Sequence, residues 1–190
     1  MKLHHLTLAL LFLFAASLVI SAGQVAGSIH GHVFRSDAIG LTFTVPETFS
    51  AKVESELPMH DPGGREHMIL ALWKSNESTA SPRIAMLYDT KQRSPDLSRA
   101  EIANRYLAAI RQLWVNVRGV KISGPLKISQ PGCDFWRTDF FQPDALPHYN
   151  AAVVVPLADR RLLAIQINAP SQKELDEEVD SLKELRLDRK

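Results

Sequence analysis

The sequence has 190 residues, a formal net charge of +1, and hydrophobic and charged fractions of 45% and 23%. These values are typical of a globular protein and exclude an intrinsically disordered chain. Because the net charge is close to zero, it gives no electrostatic argument for a nucleic acid or an anionic membrane as the partner.

Residues 1–23 have the pattern of a secretory signal peptide. A polar start that includes Lys2 leads into a mostly apolar run over 6–20 and then into small residues. The run is shorter than the roughly 20 residues that a membrane-spanning helix needs, so we expect cleavage after Gly23 or Ala22 and no membrane span afterwards. An uncleaved, membrane-tethered form is the alternative. The pattern predicts export to the periplasm or the extracellular space, a flexible mature N-terminus over 24–32 and a single domain over 33–190.

Apolar runs beyond residue 32 predict strands in chain order. The run over 41–45 alternates apolar and polar residues, and Pro46 ends it. Three later runs, over 67–73, 83–88 and 151–155, are apolar on both faces, which indicates strands inside a covered sheet. A turn at 158–160 predicts a hairpin between the last of these and 161–169.

Two helix starts share the capping-box pattern of a serine followed three positions later by a glutamate, at Ser98 and at Ser171. Apolar residues then recur every three or four positions and predict a first amphipathic helix that ends near Gly119 and a second one; they are Ile102, Tyr106, Ala109, Ile110, Leu113 and Val117, then Leu175, Val179, Leu182 and Leu185. Two main helices and strands grouped in hairpins predict an α+β fold, in which an antiparallel β-sheet is sandwiched by helices in an α/β/α arrangement.

Cys133 is the only cysteine of the chain, so no intramolecular disulfide can form. It precedes a strand-like run, and no basic residue adjoins it to lower the pKa of its thiol. The sequence therefore favours a small, buried packing residue at this position over a nucleophile.

Three segments resemble the PsbP-like superfamily, and in particular its uncharacterised exported bacterial members. They are 38–46, which reads small-Gly-apolar-x-aromatic-x-apolar-Pro, the strand-like run 132–140, and the closing strand 162–168 with the helix that follows it. The resemblance extends over 33–187. It implies an α/β/α sandwich that acts by binding and has no general catalytic apparatus. Known members of the superfamily include a photosystem subunit and a nuclear import factor. Their partners cannot be assigned to this chain, because the residues that bind them have no matching positions here.

His30 and His32 form the sharpest motif for metal binding. In an extended segment, side chains two positions apart share a face, so both imidazoles could bind one zinc or copper ion. Further ligands would have to come from a distant loop that offers His60, Asp61, Glu66 and His67. The alternative is a solvated terminal segment, and we expect no resident metal ion or cofactor.

Arg137 and Asp139 lie two positions apart on a predicted strand and therefore share one face. They could line a polar pocket for an acidic ligand. Alternatively, they could pair with each other or with charges on neighbouring strands, because a half-buried charge must be paired.

Motifs of common enzymes are missing from the sequence. It contains no Gly-x-Ser-x-Gly, His-Glu-x-x-His or Ser-x-x-Lys motif, and no glycine-rich loop opens a helix. The sequence therefore favours a non-catalytic exported domain that binds an unknown protein or envelope component. The alternative is a metal-binding protein or a hydrolase that uses the histidines near the mature N-terminus.

Overall fold

The computed structural model describes residues 27–57, 66–76, 81–130, 133–144 and 146–188. The predicted signal peptide and its cleavage site lie outside these residues, as do His60 and Asp61. Within the described ranges, no helix has the length and apolar character needed to cross a membrane.

A seven-stranded antiparallel sheet forms the centre of the molecule, in the order β4-β5-β6-β10-β9-β8-β7. Its strands are β4 (Phe49–Val53), β5 (Glu66–Lys74), β6 (Ile84–Asp89), β7 (Lys121–Gln130), β8 (Cys133–Phe141), β9 (Tyr149–Pro156) and β10 (Leu162–Ala169). The strands β6, β10 and β9, which are rich in apolar residues, occupy inner positions, as continuous apolar runs require. The predicted hairpin at 158–160 joins β9 to β10.

A second, four-stranded sheet has the order β1-β2-β3-β11. It consists of β1 (Ser28–His30), β2 (Val33–Ser36), β3 (Leu41–Thr44) and β11 (Arg186–Leu187). β1 pairs with β2 in regular antiparallel register, so Ser28–His30, within the segment 24–32 that we expect to be flexible, forms a strand. The rest of this sheet was also not predicted, apart from the strand that begins at Leu41.

The two predicted helices are present, as α1 (Arg99–Trp114) and α2 (Gln172–Ser181). At the start of α1, the Glu101 amide donates to Ser98 Oγ at 3.2 Å, and the Glu101 carboxylate accepts from the Ser98 amide at 2.8 Å, which completes the capping box. At the start of α2, the Glu174 amide donates to Ser171 Oγ at 3.2 Å. The Glu174 side chain points to other partners, so only the serine half of the second box is confirmed.

Apolar side chains on the two faces of the large sheet form two separate clusters. On β9, Val153 belongs to the cluster that contains α2 and the small sheet, whereas Val154 belongs to the cluster beneath α1. Since neighbouring strand residues point to opposite faces, α1 covers one face, and α2 shares the other face with the small sheet. The predicted antiparallel sheet and its two main helices are confirmed, but one covering layer consists largely of strands.

The buried stripe of α1 differs in part from the predicted one. Ala103 and Leu107 are fully buried, whereas Leu113 is 76% exposed. At 100° per residue, Leu113 lies at the same edge of the buried stripe as the buried Ile102, so their different exposure reflects their positions at opposite ends of the helix. The stripe predicted for α2 is confirmed: Leu175, Val179, Leu182 and Leu185 are all buried.

Candidate binding cleft and the predicted site residues

A cleft of about 520 Å³ lies at one end of the large sheet, where segments from distant parts of the chain meet. We call it the end cleft. Its walls are the β2–β3 turn (38–40), Arg99 at the start of α1, the β7–β8 hairpin, the β9–β10 turn (156–159), and Leu187 with Asp188. Loops at the ends of a rigid sheet are a common location for binding sites.

A backbone contact fixes the wall made by the β2–β3 turn. The Asp188 amide donates to the Gly40 carbonyl oxygen at 2.8 Å, which extends the pairing of β3 with β11. Gly40 has φ +63°, and a Cβ there would lie 3.3 Å from Asp188 Cβ. Glycine therefore permits both the left-handed turn and the close approach of the two segments.

Cys133 lies on the cleft wall and is half-buried, so the predicted role as a buried packing residue is only partly met. Burial raises the pKa of its thiol, which a hydrogen bond donated by Gln130 Nε2, at 3.2 Å, offsets only in part. The thiol is thus protonated at neutral pH, the opposite of what an activated nucleophile needs.

The charges on the cleft walls are mostly negative. Asp134, Asp159 and Asp188 contribute carboxylates, whereas Arg99 contributes the one guanidinium among the wall residues described. Asp134 pairs with Lys127 at 2.8 Å, and this hydrogen bond holds the pKa of Asp134 below its usual value. The cleft is therefore suited to a ligand that presents hydrogen-bond donors or positive charge.

Arg137 and Asp139 form an ion pair, with Arg137 Nε 2.6 Å from Asp139 Oδ1. Arg137 Nη2 also lies 2.7 Å from Asp176 Oδ1 on α2. Both side chains of the pair are mostly buried, at 12% and 20% exposure, and neither contributes to the end cleft. Of the two alternatives raised by the sequence, this geometry corresponds to charges paired with each other and with a neighbouring element.

The histidines singled out in the sequence do not come together in the described structure. Gly31 and His32 form the two-residue turn between β1 and β2, so His30 and His32 are not alternate residues of an extended strand, and both are exposed. His67 lies on β5, where its Nδ1 is 3.3 Å from Glu54 Oε1. Within the described ranges, no group of three or more His, Cys, Asp or Glu side chains could hold a metal ion.

A largely buried charge cluster that the sequence did not predict lies between α2 and the ends of β5 and β6. Arg83 Nη2 lies 2.7 Å from Glu174 Oε2 and 2.9 Å from Glu178 Oε1, and Lys74 Nζ lies 2.5 Å from Glu174 Oε2. We call these four residues the α2 charge cluster. A possible signal was the spacing of the two glutamates, which puts them on one side of the helix.

The pKa values of the two carboxyl groups in this cluster are shifted in opposite directions. Burial raises the pKa of Glu178 to about 7, despite the nearby charges of Arg83 and Lys74. The hydrogen bond from Lys74 lowers the pKa of the more exposed Glu174. Glu178 is 3% exposed, and its Oε2 is buried without a hydrogen-bond partner among the described residues. The cluster thus fastens α2 to the sheet at a desolvation cost that depends on pH.

No protein-family model matches the chain, and no curated protein matches it by sequence. Its structure is similar to the solution structure of cyanobacterial PsbP (CyanoP) from Synechocystis sp. PCC 6803, with a TM-score of 0.51 and 10% sequence identity. The match covers 88% of this chain and 95% of that chain. At this identity, the likeness concerns the fold alone. The chain has a PsbP-like fold, as the resemblance of its sequence implied.

Proposed function

We propose that the protein is an exported, non-catalytic binding domain that holds a protein or an envelope component in the end cleft. The observation that carries this proposal is the cleft itself, an open space of about 520 Å³ between loop ends. Its volume falls within the range of sites that hold ligands, and its walls combine apolar and acidic groups.

The chemistry of the cleft supports binding over catalysis. Its thiol, Cys133, has a raised pKa. Its wall residues include carboxylates and a guanidinium but no histidine among those described. A thiol that stays protonated and has no neighbouring base is a poor nucleophile. An extended peptide segment with a basic or amide-rich side chain would satisfy the acidic walls.

Export is supported by the pattern of residues 1–23, and it can be tested separately. The mass of the protein recovered from the producing cells should correspond to a chain that begins at Gln24 or Gly23. A mass that includes residues 1–23 would contradict cleavage and support the tethered form.

The lone cysteine offers a direct test of the cleft. A photo-crosslinker attached to Cys133 through an iodoacetamide linker at alkaline pH, where part of this thiol is ionised, would sit on the cleft wall, and no second thiol could react. We expect it to form a defined adduct with an envelope component when the labelled protein is returned to envelope extracts. Filling the cleft with Ala158→Trp should remove this adduct.

A matched control places the same crosslinker elsewhere on the surface. In a Cys133→Ser, Lys173→Cys variant, the label lies on α2, where the Lys173 side chain is 85% exposed. The same adducts from both positions, or no adduct from Cys133, would contradict binding in the cleft.

A further inference from the structure

Charge is distributed unequally along the chain. The segment 102–133, which contains most of α1 and all of β7, has no Asp or Glu, and it carries Arg105, Arg111, Arg118, Lys121 and Lys127. By contrast, the segment 172–184, which contains α2, is mainly acidic; its acids are Glu174, Asp176, Glu177, Glu178, Asp180 and Glu184. The small net charge of the chain therefore hides a basic segment that includes α1 and β7 and an acidic segment that includes α2. Lys121 lies on the strand face opposite α1, because its neighbour Ile122 belongs to the cluster beneath α1.

Large apolar side chains protrude at the end of α1 and in the β8–β9 loop. Leu113 is 76% exposed, Val115 is 60% exposed, and Leu146 in the β8–β9 loop is 82% exposed. Exposure this high means that few protein atoms surround each side chain. Scattered single apolar residues on a surface need no explanation, but a group of them beside cations does.

Contacts between the elements show that these residues belong to one end of the molecule. The Trp114 and Phe140 rings stack at 5.1 Å between centroids, and Lys121 is paired with Phe141 across β7 and β8. A Cβ on Gly119 would lie 3.3 Å from Pro143, so the segment after α1 packs against the β8–β9 loop. We call Arg111, Leu113, Val115, Arg118, Lys121 and Leu146 the basic-apolar end.

We infer that the basic-apolar end binds the surface of an anionic phospholipid bilayer. The argument is charge complementarity combined with protruding apolar groups. Arg111, Arg118 and Lys121 would meet lipid phosphates, while Leu113 and Val115 would enter the boundary between headgroups and acyl chains. The exposed acids near this end are Asp144, in the neighbouring loop, and Glu66, which lines a cavity with Trp114 and Phe140; against the three cations they still leave an excess of positive charge.

A lipid surface fits these observations better than a protein partner. The apolar side chains stand at a helix end and a loop instead of lining a groove into which a partner's side chains could insert. The end also lies opposite the end cleft, because β8 runs from Cys133 at the cleft to Phe141 beside Lys121. Nine residues of strand separate the two sites by about 27 Å, so a protein seated on a bilayer would keep its cleft open.

Sedimentation with lipid vesicles tests this inference independently of the end cleft. The protein, in the form recovered from the producing cells, should co-sediment with vesicles of phosphatidylglycerol and phosphatidylcholine in equal parts. It should bind vesicles of phosphatidylcholine alone much more weakly, and high salt should release it. Removing two cations, in Arg118→Ser/Lys121→Ser, should weaken binding by about 30-fold, since each contributes about 1 kcal/mol near an anionic surface.

Matched variants distinguish binding through the basic-apolar end from non-specific binding to vesicles. Leu113→Ser/Val115→Ser should also lose binding. Leu126→Ser, which removes a side chain of 60% exposure from β7 outside the basic-apolar end, should bind as the wild type does. Lys183→Ser is the matched charge control, because Lys183 is 64% exposed and follows α2. Since all variants share the same N-terminus, its contribution to binding cancels.

Three results would overturn the inference. They are equal binding to both kinds of vesicle, no binding to the anionic vesicles, and equal losses in the control variants. Binding to an acidic protein without binding to vesicles would assign this end to a protein partner instead. A failed vesicle experiment would leave crosslinking in the cleft unaffected, so the two proposals fail separately.

Discussion

The two helices pack against the same sheet in different ways. α2 is held by the buried side chains of Leu175 and Val179 and also by ion pairs to Arg83 and Lys74. α1 is held by apolar contacts along its length, through the buried Ile102, Ala103 and Leu107 and the stacking of Trp114 on Phe140, while Leu113 near its end is exposed. Ion pairs therefore help to fix α2 on the sheet, whereas α1 depends on apolar packing and leaves the Leu113 side chain in solvent.

Breaking the α2 charge cluster should have the largest effect on stability. Arg83→Ala leaves Glu174 and Glu178 without their shared guanidinium, and removing one partner from a buried pair costs about 3–5 kcal/mol. Urea denaturation followed by circular dichroism measures this loss. Arg105→Ala on α1 is the matched control and should change the free energy of unfolding by less than about 0.5 kcal/mol. Similar small losses in both variants would contradict the contrast between the helices.

The raised pKa of Glu178 predicts a pH-dependent stability. Its pKa rises from 4.5 in the unfolded chain to about 7 in the folded protein. The folded state therefore holds a proton that the unfolded state has released, and the contribution of Glu178 is lost as the pH rises from 4.5 to about 7. At 1.4 kcal/mol per pKa unit, this loss is about 3 kcal/mol.

Glu178→Gln should remove this pH dependence, because an amide does not titrate in this range. Denaturation series at several pH values should show the variant gaining on the wild type between pH 4.5 and about 7. Parallel curves for the two proteins would contradict the shifted pKa. Glu174→Gln provides the comparison, since the pKa of Glu174 is lowered and its contribution is lost only as the pH falls.

Removing the two helix caps should change the free energy of unfolding less than breaking the α2 charge cluster. Ser98→Ala removes the two hydrogen bonds of the Ser98 hydroxyl, one from the Glu101 amide and one to the Glu101 carboxylate, and should cost about 1 kcal/mol. Ser171→Ala removes a single hydrogen bond from the Glu174 amide and should cost less. Thermal unfolding of both variants shows which substitution causes the larger loss of stability. A larger loss at Ser171 would mean that its cap also positions Glu174 in the α2 charge cluster.

Leu113→Ser should have the smallest effect on stability, below about 0.5 kcal/mol, because the side chain is 76% exposed. Leu107→Ala, two turns earlier on the same helix, should cost about 2–5 kcal/mol because Leu107 is fully buried. Chemical denaturation of both variants checks the difference. A large loss from Leu113→Ser would place that residue in the core and remove it from the basic-apolar end.

Local signals in the sequence predicted local structure well. The serine caps located the starts of α1 and α2, and the spacing of Leu175, Val179, Leu182 and Leu185 identified a buried stripe. The small sheet could not be predicted in the same way, because β1 and β11 have only three and two residues and their pairing partners are not adjacent elements in every case. Strands of this length carry too few residues for an alternation to be recognised.

The sites depended on contacts that sequence spacing cannot reveal. Arg83 and Glu178 are 95 positions apart, and the wall residues Gly40 and Asp188 come from opposite parts of the chain. His30 and His32 illustrate the converse, since their suggestive spacing belongs to a two-residue turn. The sequence also contains the acid-free segment 102–133, but the net charge of the whole chain does not reveal this local excess of basic residues.

The pairing of β11 with β3 has a consequence for the order of folding. Arg186 lies opposite Thr42, and most of the sequence separates these two residues. The small sheet cannot be completed until the segment after α2 is available, so a chain emerging from the ribosome keeps the apolar faces of Phe34 and Phe43 incompletely covered. The exported form that we propose would benefit from this delay, because a polypeptide crosses a translocation channel unfolded and β11 is synthesised long after β3, the strand with which it pairs.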